Sequence, residues 1–292
     1  MSFARRRSNT DMARIKSLKW KNRKIGLNII IMTIMILYIL PLWYILNNAF
    51  KIRKYISQQP FWVTREMFTF NNIIEAFTKM EYMSSFKNSV IVVAFTCVML
   101  VVFGSLAGFG ITYARNKTLD GVYLAYIALI SLPLQIAMVP LIVLMRQLNL
   151  TDTHIAMALI YNAIYLPFVV FLYTGFMRSI PRDLIEAAKI DGCNPFSIYI
   201  RIFMPLLTTT TGVVVILRGV STWNDLFVPL IVVNKPSMYT LPMKLYFFAS
   251  SRQGQWHIVF GATFLCIIPI MVLFLVMQKT FIKGIMSGSL KG

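Results

Sequence analysis

Residues 186–205 read EAAKIDGCNPFSIYIRIFMP and lie between two long apolar segments of the chain. Pro181, just before them, suits the first position of a helix, where its missing N–H would have no intrahelical partner. Gly192 is placed to end that helix in a left-handed conformation. Asn194 followed by Pro195 then predicts a second helix with its own cap. The residues therefore predict two short helices joined by a tight turn.

The predicted hairpin, residues 179–205, must bury apolar side chains. Pro205 disfavours helical geometry at Met204 and predicts the end of the second helix. Neither helix is long enough to be stable alone in water. Two acceptors remain open: the membrane-spanning helices of the protein itself, or a groove on a cytoplasmic partner. The apolar side chains are Leu184, Ile185 and Ala188 on the first helix, and Phe196, Tyr199, Ile200 and Phe203 on the second.

The composition points to lipid as the solvent. Of 292 residues, 58% are hydrophobic and 13% are charged, compared with about a half and a quarter in soluble proteins. The net charge is +19, and the basic residues are densest at the N-terminus, where RRR at 5–7 and KSLKWKNRK at 16–24 adjoin an apolar run. Basic residues in that position set membrane topology, which argues against nucleic-acid binding. The three cysteines are far apart in sequence, so neither a disulfide framework nor a metal site is expected.

Six apolar runs are long enough to cross about 30 Å of hydrocarbon. They predict an all-α, polytopic membrane protein with six transmembrane helices. The fifth run is over-long and is expected to end near residue 225, leaving 226–233 as a re-entrant or interfacial extension. The six runs are 25–47, 88–114, 121–145, 154–177, 203–233 and 257–280.

The distribution of basic residues predicts the orientation. With the N-terminus inside, 18 of the 29 Lys and Arg residues fall in cytoplasmic segments. Both termini and the hairpin are then cytoplasmic. The expected organisation is a basic N-terminal segment, 1–24, followed by a transmembrane domain, 25–292, that ends in a tail at 281–292.

A polar stripe marks the fifth apolar run. Arg218, Ser221, Thr222 and Asp225 follow i, i+3, i+4, i+7 spacing and share one helical face. Charges inside a membrane normally face a bundle interior or a water-filled path. The stripe therefore has two interpretations. It borders a translocation path or an interface between subunits, or its polar groups hold neighbouring helices of this chain together. Weaker candidates for the same path are Gln135 in the third run and three residues predicted to share one helical face of the fourth run, Tyr161, Asn162 and Tyr165.

The sequence lacks the motifs of the enzymes considered. It has no GxxxxGK[ST] nucleotide-binding loop, no HExxH zinc motif and no GxSxG nucleophile elbow. The two histidines, His154 and His257, lie about a hundred residues apart at predicted outer membrane edges. We therefore expect no catalytic residue, no metal site and no cofactor in this chain. A stand-alone channel or a membrane-embedded enzyme stays open as a less favoured alternative.

The hairpin resembles the EAA loop of ATP-binding-cassette (ABC) importer permeases, in the pattern E-A-A, three residues, Gly, nine residues, Ile, two residues, Pro. The leucine that usually precedes the proline is Met204 here. The resemblance implies a type I ABC importer permease fold in which this loop couples to an ATPase. The residues implied in coupling are Glu186, Ala187, Ala188, Asp191, Gly192, Ile202 and Pro205.

Four further stretches resemble the carbohydrate branch of that family, similar to the second permease of the maltose system. Together with the hairpin, they extend the resemblance from about residue 25 to the end. The four are NSVIVVAFTCVMLVVFGSLAGFGITYAR at 88–115, STWNDLFVPLIVV at 221–233, YTLPMKL at 239–245 and QKTFIKGIMSGSLKG at 278–292.

The resemblance implies a set of partners in a bacterial cell membrane. They are a homologous, non-identical permease, two ATPase subunits that hold ATP and Mg, and an extracellular solute-binding protein that delivers a sugar or oligosaccharide. A solute of another class, such as a polyol phosphate or a peptide, is the alternative. Tyr239, Thr240 and Leu241 are implied in contact with the binding protein. The tail residues implied at the ATPase interface are Gly284, Gly288 and Gly292.

Overall fold

The structure is a computed structural model that describes residues 2–114, 116–251 and 254–289. The side chains of residues 2–23, 134, 135, 277 and 279–289 are outside that description. The predicted basic segment 1–24 therefore stays a prediction. The described chain forms two compact units, one comprising residues up to Ile73 with Trp256–Phe264, the other Ile74–Gln255 with residues from Leu265 onward.

Helices make up nearly all of the described chain. The only β-structure within the described ranges is an isolated bridge between Lys51 and Phe68. The helices are α1 (Ser2–Ala49), α2 (Arg53–Gln58), α3 (Asn71–Lys79), α4 (Tyr82–Ala114), α5 (Lys117–Leu129), α6 (Leu134–Gln147), α7 (His154–Met177), α8 (Arg182–Ile190), α9 (Pro195–Ile198), α10 (Met204–Leu206), α11 (Thr208–Asn224), α12 (Phe227–Val232), α13 (Leu241–Ser251) and α14 (Trp256–Ser289).

Four described stretches are long and apolar enough to cross a membrane: Lys24–Ala49, Tyr82–Ala114, His154–Met177 and Trp256–Val276. A fifth span results if the bent pair Pro195–Leu206 and Thr208–Asn224 is counted as one. Each of these five stretches overlaps one of the predicted runs.

The prediction of six continuous spans is not confirmed, because the third run, 121–145, is broken. α5 and α6 have 13 and 14 residues, about 20 Å each, which is short of the hydrocarbon thickness. The break falls at Pro133, whose backbone is extended (φ −70°, ψ 131°). Proline removes a helical hydrogen bond and disfavours helical geometry in the residue before it, so an apolar run can continue where a helix cannot.

The second predicted boundary of the hairpin was also wrong. Met204 is helical (φ −56°, ψ −44°), and the chain stays helical through Leu206. A π-helical turn, Tyr199–Phe203, precedes Pro205 and accommodates it, because a wider turn relieves the crowding of the proline ring. The axis then bends by 71° at Leu207. After this bend α11 ends at Asn224, close to the predicted limit of 225.

Close packing of α4 against α7 is the main helix contact of the second unit. A Cβ placed on Gly104 would lie 2.5 Å from Val169 Cγ1, and one on Gly108 would lie 3.0 Å from Tyr173 Cβ. Small residues let two helix backbones approach in a membrane, where apolar burial against lipid gives little driving force. The two glycines therefore fix the contact that supports the hairpin described below.

The first unit is held by buried polar contacts at the end of α1. Lys51 is fully buried, and its Nζ donates to Gln59 O at 2.5 Å and to Asn48 Oδ1 at 3.3 Å. Asn72 Nδ2 donates to Ala49 O at 3.1 Å and to Lys51 O at 2.8 Å. Of these acceptors, Ala49 O lies in the last turn of α1, where the backbone carbonyls have no partner within the helix.

Candidate functional site

The hairpin turn is built by local hydrogen bonds. Gly192 has φ +77°, and the N–H groups of Gly192 and Cys193 donate to Lys189 O (3.1 Å) and Ala188 O (2.9 Å). This is the Schellman arrangement that ends a helix at a left-handed glycine. Asn194 then caps α9, its Oδ1 accepting from Ser197 N at 2.7 Å. The tight turn is thus confirmed.

The start of the hairpin differs from the prediction by one residue. α8 begins at Arg182, so Pro181 occupies the N-cap position with an extended backbone (φ −56°, ψ 135°) rather than the first helical position. Neither position needs a backbone N–H, which proline lacks. The sequence pattern therefore does not distinguish the N-cap position from the first helical position. The acidic Asp183 lies in the first turn, where it complements the helix dipole.

The hairpin divides its apolar side chains between two surfaces. Ala188, Ile198, Tyr199 and Phe203 are buried in one cluster with residues of α4 and α7. Phe196 and Ile190 are 69% and 86% exposed. Both acceptors considered from the sequence are thus relevant: the inner side of the hairpin packs on the protein, and the outer side is open.

The residues implied in coupling follow the same division. Glu186, Ala187, Asp191, Gly192 and Pro205 are exposed, Ile202 is half-buried and Ala188 is buried. Glu186 also lines a cleft of about 400 Å³ beside the ends of α4 and α7. Arg178 donates to Asp120 across this cleft at 2.5 Å, and Lys189 lies 4.8 Å from the centre of the Tyr113 ring.

Part of the predicted polar stripe meets α7. Tyr161 Oη donates to Asp225 Oδ2 at 2.8 Å, and Val228 N donates to the same oxygen at 2.9 Å. The Arg218 guanidinium lies 4.1 Å from the centre of the Phe168 ring and 4.8 Å from that of Tyr165. Its Nε is buried without a hydrogen-bond partner in the described structure. We call Tyr161, Tyr165, Arg218, Thr222 and Asp225 the polar face.

Two of the predicted residues, Asn162 and Ser221, lie apart from the polar face. Asn162 was predicted on the same face as Tyr161 and Tyr165, but it is buried and donates to Ala158 O (2.9 Å) and Thr96 O (3.4 Å) on the side of α4. Consecutive residues are about 100° apart on a helix, so Tyr161 and Asn162 point to different neighbours. Ser221 donates to Leu217 O and faces outward. The side chain of Gln135 lies outside the described residues.

The loop before α13 is anchored to α4. Thr240 and Leu241 are 5% and 0% exposed, and Tyr239 is half-buried. Asn88 Nδ2 donates to Ser237 O (2.8 Å) and Tyr239 O (3.1 Å), while Leu241 N donates to Ser89 Oγ (2.8 Å). Their burial leaves Thr240 and Leu241 little surface for a partner. The exposed part of this loop is 234–237.

Sequence reasoning missed the residues that hold this loop. Asn88 Oδ1 also pairs with His154 Nε2 at 2.9 Å, so one side chain joins α4, α7 and the loop. The available signal was the polar pair Asn88–Ser89 at the head of a long apolar run. Polar groups in that position require partners, and here backbone atoms of the loop supply them.

The predicted tail is described only in part. Gly284 and Gly288 fall within α14, and Gly292 lies outside the described residues. Among the described residues, no group of three or more His, Cys, Asp or Glu side chains is arranged to hold a metal ion.

Residues 100–286 match the family described as "Binding-protein-dependent transport system inner membrane component". The melibiose/raffinose/stachyose import permease protein MelC of Bacillus subtilis (strain 168) is 32% identical over 256 residues, 87% of this chain and 92% of that protein. The arabinooligosaccharides transport system permease protein AraQ of the same strain is 29% identical, over 92% of this chain and 96% of that protein.

A solved structure has a similar fold. A chain of a bacterial ABC transporter involved in the import of the acidic polysaccharide alginate superposes with a TM-score of 0.71, over 89% of this chain and 97% of that chain. Its sequence identity is 18%, so the likeness concerns the fold. The fold is that of a type I ABC importer permease.

Proposed function

Because the chain belongs to the family of binding-protein-dependent transport system inner membrane components, we propose that it is the permease subunit of an ATP-driven importer of sugars or oligosaccharides. It is a multi-pass membrane protein and a transport component, not an enzyme. The sugar assignment is supported by MelC and AraQ, which are both named for oligosaccharide import and which match nearly the whole chain.

The observation that carries the coupling role is the two-sided hairpin. Its inner side is packed in one core cluster with residues of α4 and α7, so the hairpin is in direct contact with the helices that it would move. Its outer side presents Glu186, Ile190 and Phe196 to solvent. A short amphipathic helix with an exposed apolar side is suited to a groove on another protein. We assign that groove to the ATPase, which would hold ATP and Mg.

The remaining assignments follow from this arrangement. We assign the hairpin and both termini to the cytoplasmic side of a bacterial cell membrane, and the excess of basic residues on that side supports this orientation. A second, non-identical permease completes the translocation path, and an extracellular solute-binding protein delivers the sugar. The polar face is the part of this chain proposed to border that path, since tyrosine, threonine and arginine side chains can contact sugar hydroxyls and rings.

Site-specific photo-crosslinking tests the coupling role. A photo-reactive phenylalanine replaces Phe196, which is 69% exposed on the hairpin, in the importer expressed in its host membrane. The control is the same replacement at Phe227, which is 58% exposed at the start of α12. We expect the ATPase subunit to be captured from position 196 and not from 227. Capture from neither position, in membranes that contain the ATPase, would contradict the proposal.

A saccharide panel tests the substrate class. The solute-binding protein of the importer is titrated with raffinose, arabinotriose and an alginate trisaccharide, with glycerol phosphate and a tripeptide as the other solute classes. Binding of at least one saccharide, followed by its ATP-dependent uptake into proteoliposomes, is expected. The acidic trisaccharide is included because Arg218 provides a cation at the polar face. Binding of the tripeptide or the polyol phosphate alone would replace the sugar assignment.

A further inference from the structure

A buried hydrogen bond joins the hairpin to α4. Tyr199, the first residue of the π-helical turn, places its Oη 2.7 Å from Ser105 Oγ. Ser105 is fully buried and Tyr199 is 5% exposed. Ser105 Oγ–H is directed to Val101 O at 2.5 Å, so the tyrosine is the donor in the pair. The hairpin and α4 are thereby connected by a directional contact as well as by apolar packing.

The contacts continue from α4 to α11. One residue beside Ser105, Gly104 packs directly on Val169 of α7, and one turn later Gly108 packs on Tyr173. Tyr173 is fully buried, and its Oη lies 2.9 Å from Thr211 Oγ1 on α11. Thr211 is two helical turns before Arg218, about 10 Å along the axis. A continuous set of tight contacts therefore runs from the hairpin to α11, and α11 itself continues from Thr211 to the polar face.

The covalent route between the same two sites contains a bend. Pro195–Leu206 and Thr208–Asn224 meet at 71°, with Leu207 between them. A bend at a single residue allows the angle between the two helical segments to change. A displacement of the first segment is therefore transmitted poorly to the second. Closely packed helices, by contrast, shift between discrete arrangements rather than deforming continuously. Hydrogen bonds between the helices help to determine which arrangement is adopted.

We propose that the Tyr199–Ser105 hydrogen bond is a coupling contact: it makes α4, and through it α7 and α11, follow the hairpin when the ATPase moves. This role rests on the proposed function as an importer permease. Tyr199 and Ser105 act as positioning residues, since they contact neither substrate nor nucleotide. Loss of the contact should leave ATP hydrolysis and assembly in place and reduce the sugar moved for each ATP.

Tyr199→Phe is the principal variant, because it retains the ring packed on Phe109 and removes only the hydroxyl, while Ser105 keeps its bond to Val101 O. Tyr113→Phe is the matched control. It removes a hydroxyl from the same aromatic cluster, where the Tyr113 ring stacks on Phe109 at 5.1 Å and its hydroxyl has no hydrogen bond to a described residue. Uptake of the three radiolabelled panel saccharides and ATP hydrolysis are measured on the complete importer in proteoliposomes.

We expect Tyr199→Phe to lower sugar uptake per ATP by roughly two- to thirtyfold, with an unchanged melting temperature, and Tyr113→Phe to match wild type. Ser105→Ala leaves the buried Tyr199 hydroxyl unpaired and should lower the melting temperature, and adding Tyr199→Phe should restore it. The double variant should have the same uptake per ATP as Tyr199→Phe alone, because each change removes the same bond.

The outcomes separate this inference from the function it rests on. Wild-type uptake per ATP in Tyr199→Phe, or an equal loss in Tyr113→Phe, would overturn the coupling contact and leave the importer assignment standing. A loss of uptake that tracks a loss of thermal stability would show a structural role and would also overturn it. If the wild-type importer takes up no panel saccharide, the proposed function fails, and the coupling contact fails with it.

Discussion

Tyr161 on α7 donates a hydrogen bond of 2.8 Å to Asp225 Oδ2, just beyond the end of α11. The same oxygen accepts Val228 N at 2.9 Å, so the carboxylate also caps the start of α12. One acidic side chain thereby fixes the junction of two helices and their contact with a third. A carboxylate in an apolar region requires such partners, because its transfer from water is costly.

The first prediction concerns this junction. Tyr161→Phe removes one of the two hydrogen bonds to Asp225 and should destabilise the folded protein by about 1.5–3 kcal/mol, the usual contribution of a bond to a charged group. Thermal unfolding of the detergent-purified importer measures the loss. Tyr126→Phe in α5 is the control, since the Tyr126 hydroxyl has no hydrogen bond to a described residue. Equal melting temperatures for Tyr161→Phe and the control would mean that the bond contributes nothing.

The second prediction concerns Arg218. Its guanidinium stacks on Phe168 and Tyr165, an interaction of about 2 kcal/mol when desolvated. Arg218→Ala should reduce sugar uptake severalfold while the ATPase still co-purifies, and Arg218→Lys should be intermediate because it keeps the charge and loses the planar stack. Arg146→Ala, an exposed arginine in the last turn of α6, serves as control. Unchanged uptake by Arg218→Ala would contradict the proposal that Arg218 borders the translocation path.

Features that depend on neighbouring residues in the sequence were predicted well, and features that depend on distant residues or on backbone hydrogen bonds were not. The turn at Gly192 was predicted correctly because its signals are local: a glycine, a capping asparagine and a proline within four residues. The break at Pro133 was missed because hydropathy averages over a window and does not register a lost backbone hydrogen bond. The helical conformation of Met204 depends on the π-helical turn before it, which no residue type specifies.

Long-range pairings were beyond the sequence patterns. Helical spacing grouped Arg218 with Asp225, but α11 ends at Asn224 and Asp225 is extended, and the spacing gave no partner for either residue. Their partners, Tyr165 and Tyr161, lie more than fifty positions earlier in the chain. The bond between Ser105 and Tyr199 joins two residue types that pack in any apolar core, so only the fold reveals it.

The third prediction uses two glycines with equal space around them. A Cβ on Gly192 or on Gly175 would meet no atom within 4 Å, but only Gly192 has a positive φ. Gly192→Val should therefore strain the turn by about 1–2 kcal/mol and lower ATP-driven uptake, whereas Gly175→Val should be tolerated. Gly192→Asn should retain most activity, since asparagine accepts the left-handed conformation. Wild-type uptake by Gly192→Val would mean that the turn conformation is not needed for coupling.

The fourth prediction tests the contact between α4 and α7. Gly104→Ala places a methyl group 2.5 Å from Val169 Cγ1, so the helices must separate, and overpacking of this kind costs about 1–3 kcal/mol. Gly110→Ala, in the same helix, meets no atom within 4 Å and should be neutral or slightly stabilising. Val169→Ala should partly rescue Gly104→Ala in the double variant. The melting temperatures of the wild type, the three single variants and the double variant decide the point: additive losses in the double variant would exclude a direct clash.

The fifth prediction is a pH dependence near the end of α12. Asp152 Oδ1 accepts backbone N–H bonds from Asn234 at 2.5 Å and from Lys235 at 3.0 Å. Partial burial raises the pKa of the Asp152 carboxyl, but the two backbone bonds and the charge of Lys235 outweigh it, so the pKa lies below its ordinary value. A carboxyl with a depressed folded-state pKa stabilises the protein above its unfolded pKa of about 3.9, and this stability is lost as the pH falls through the folded value.

The melting temperature of the wild type should therefore fall below about pH 4, and Asp152→Asn should remove part of that fall, because an amide oxygen can still accept a hydrogen bond but carries no charge. Asp183→Asn, an exposed aspartate in the first turn of α8, is the control for the general effect of losing one acidic group. The measurement is thermal unfolding between pH 3 and 7 for the three proteins. Parallel curves for wild type and Asp152→Asn would show that the Asp152 charge does not stabilise the loop, and the backbone bonds alone would then account for its conformation.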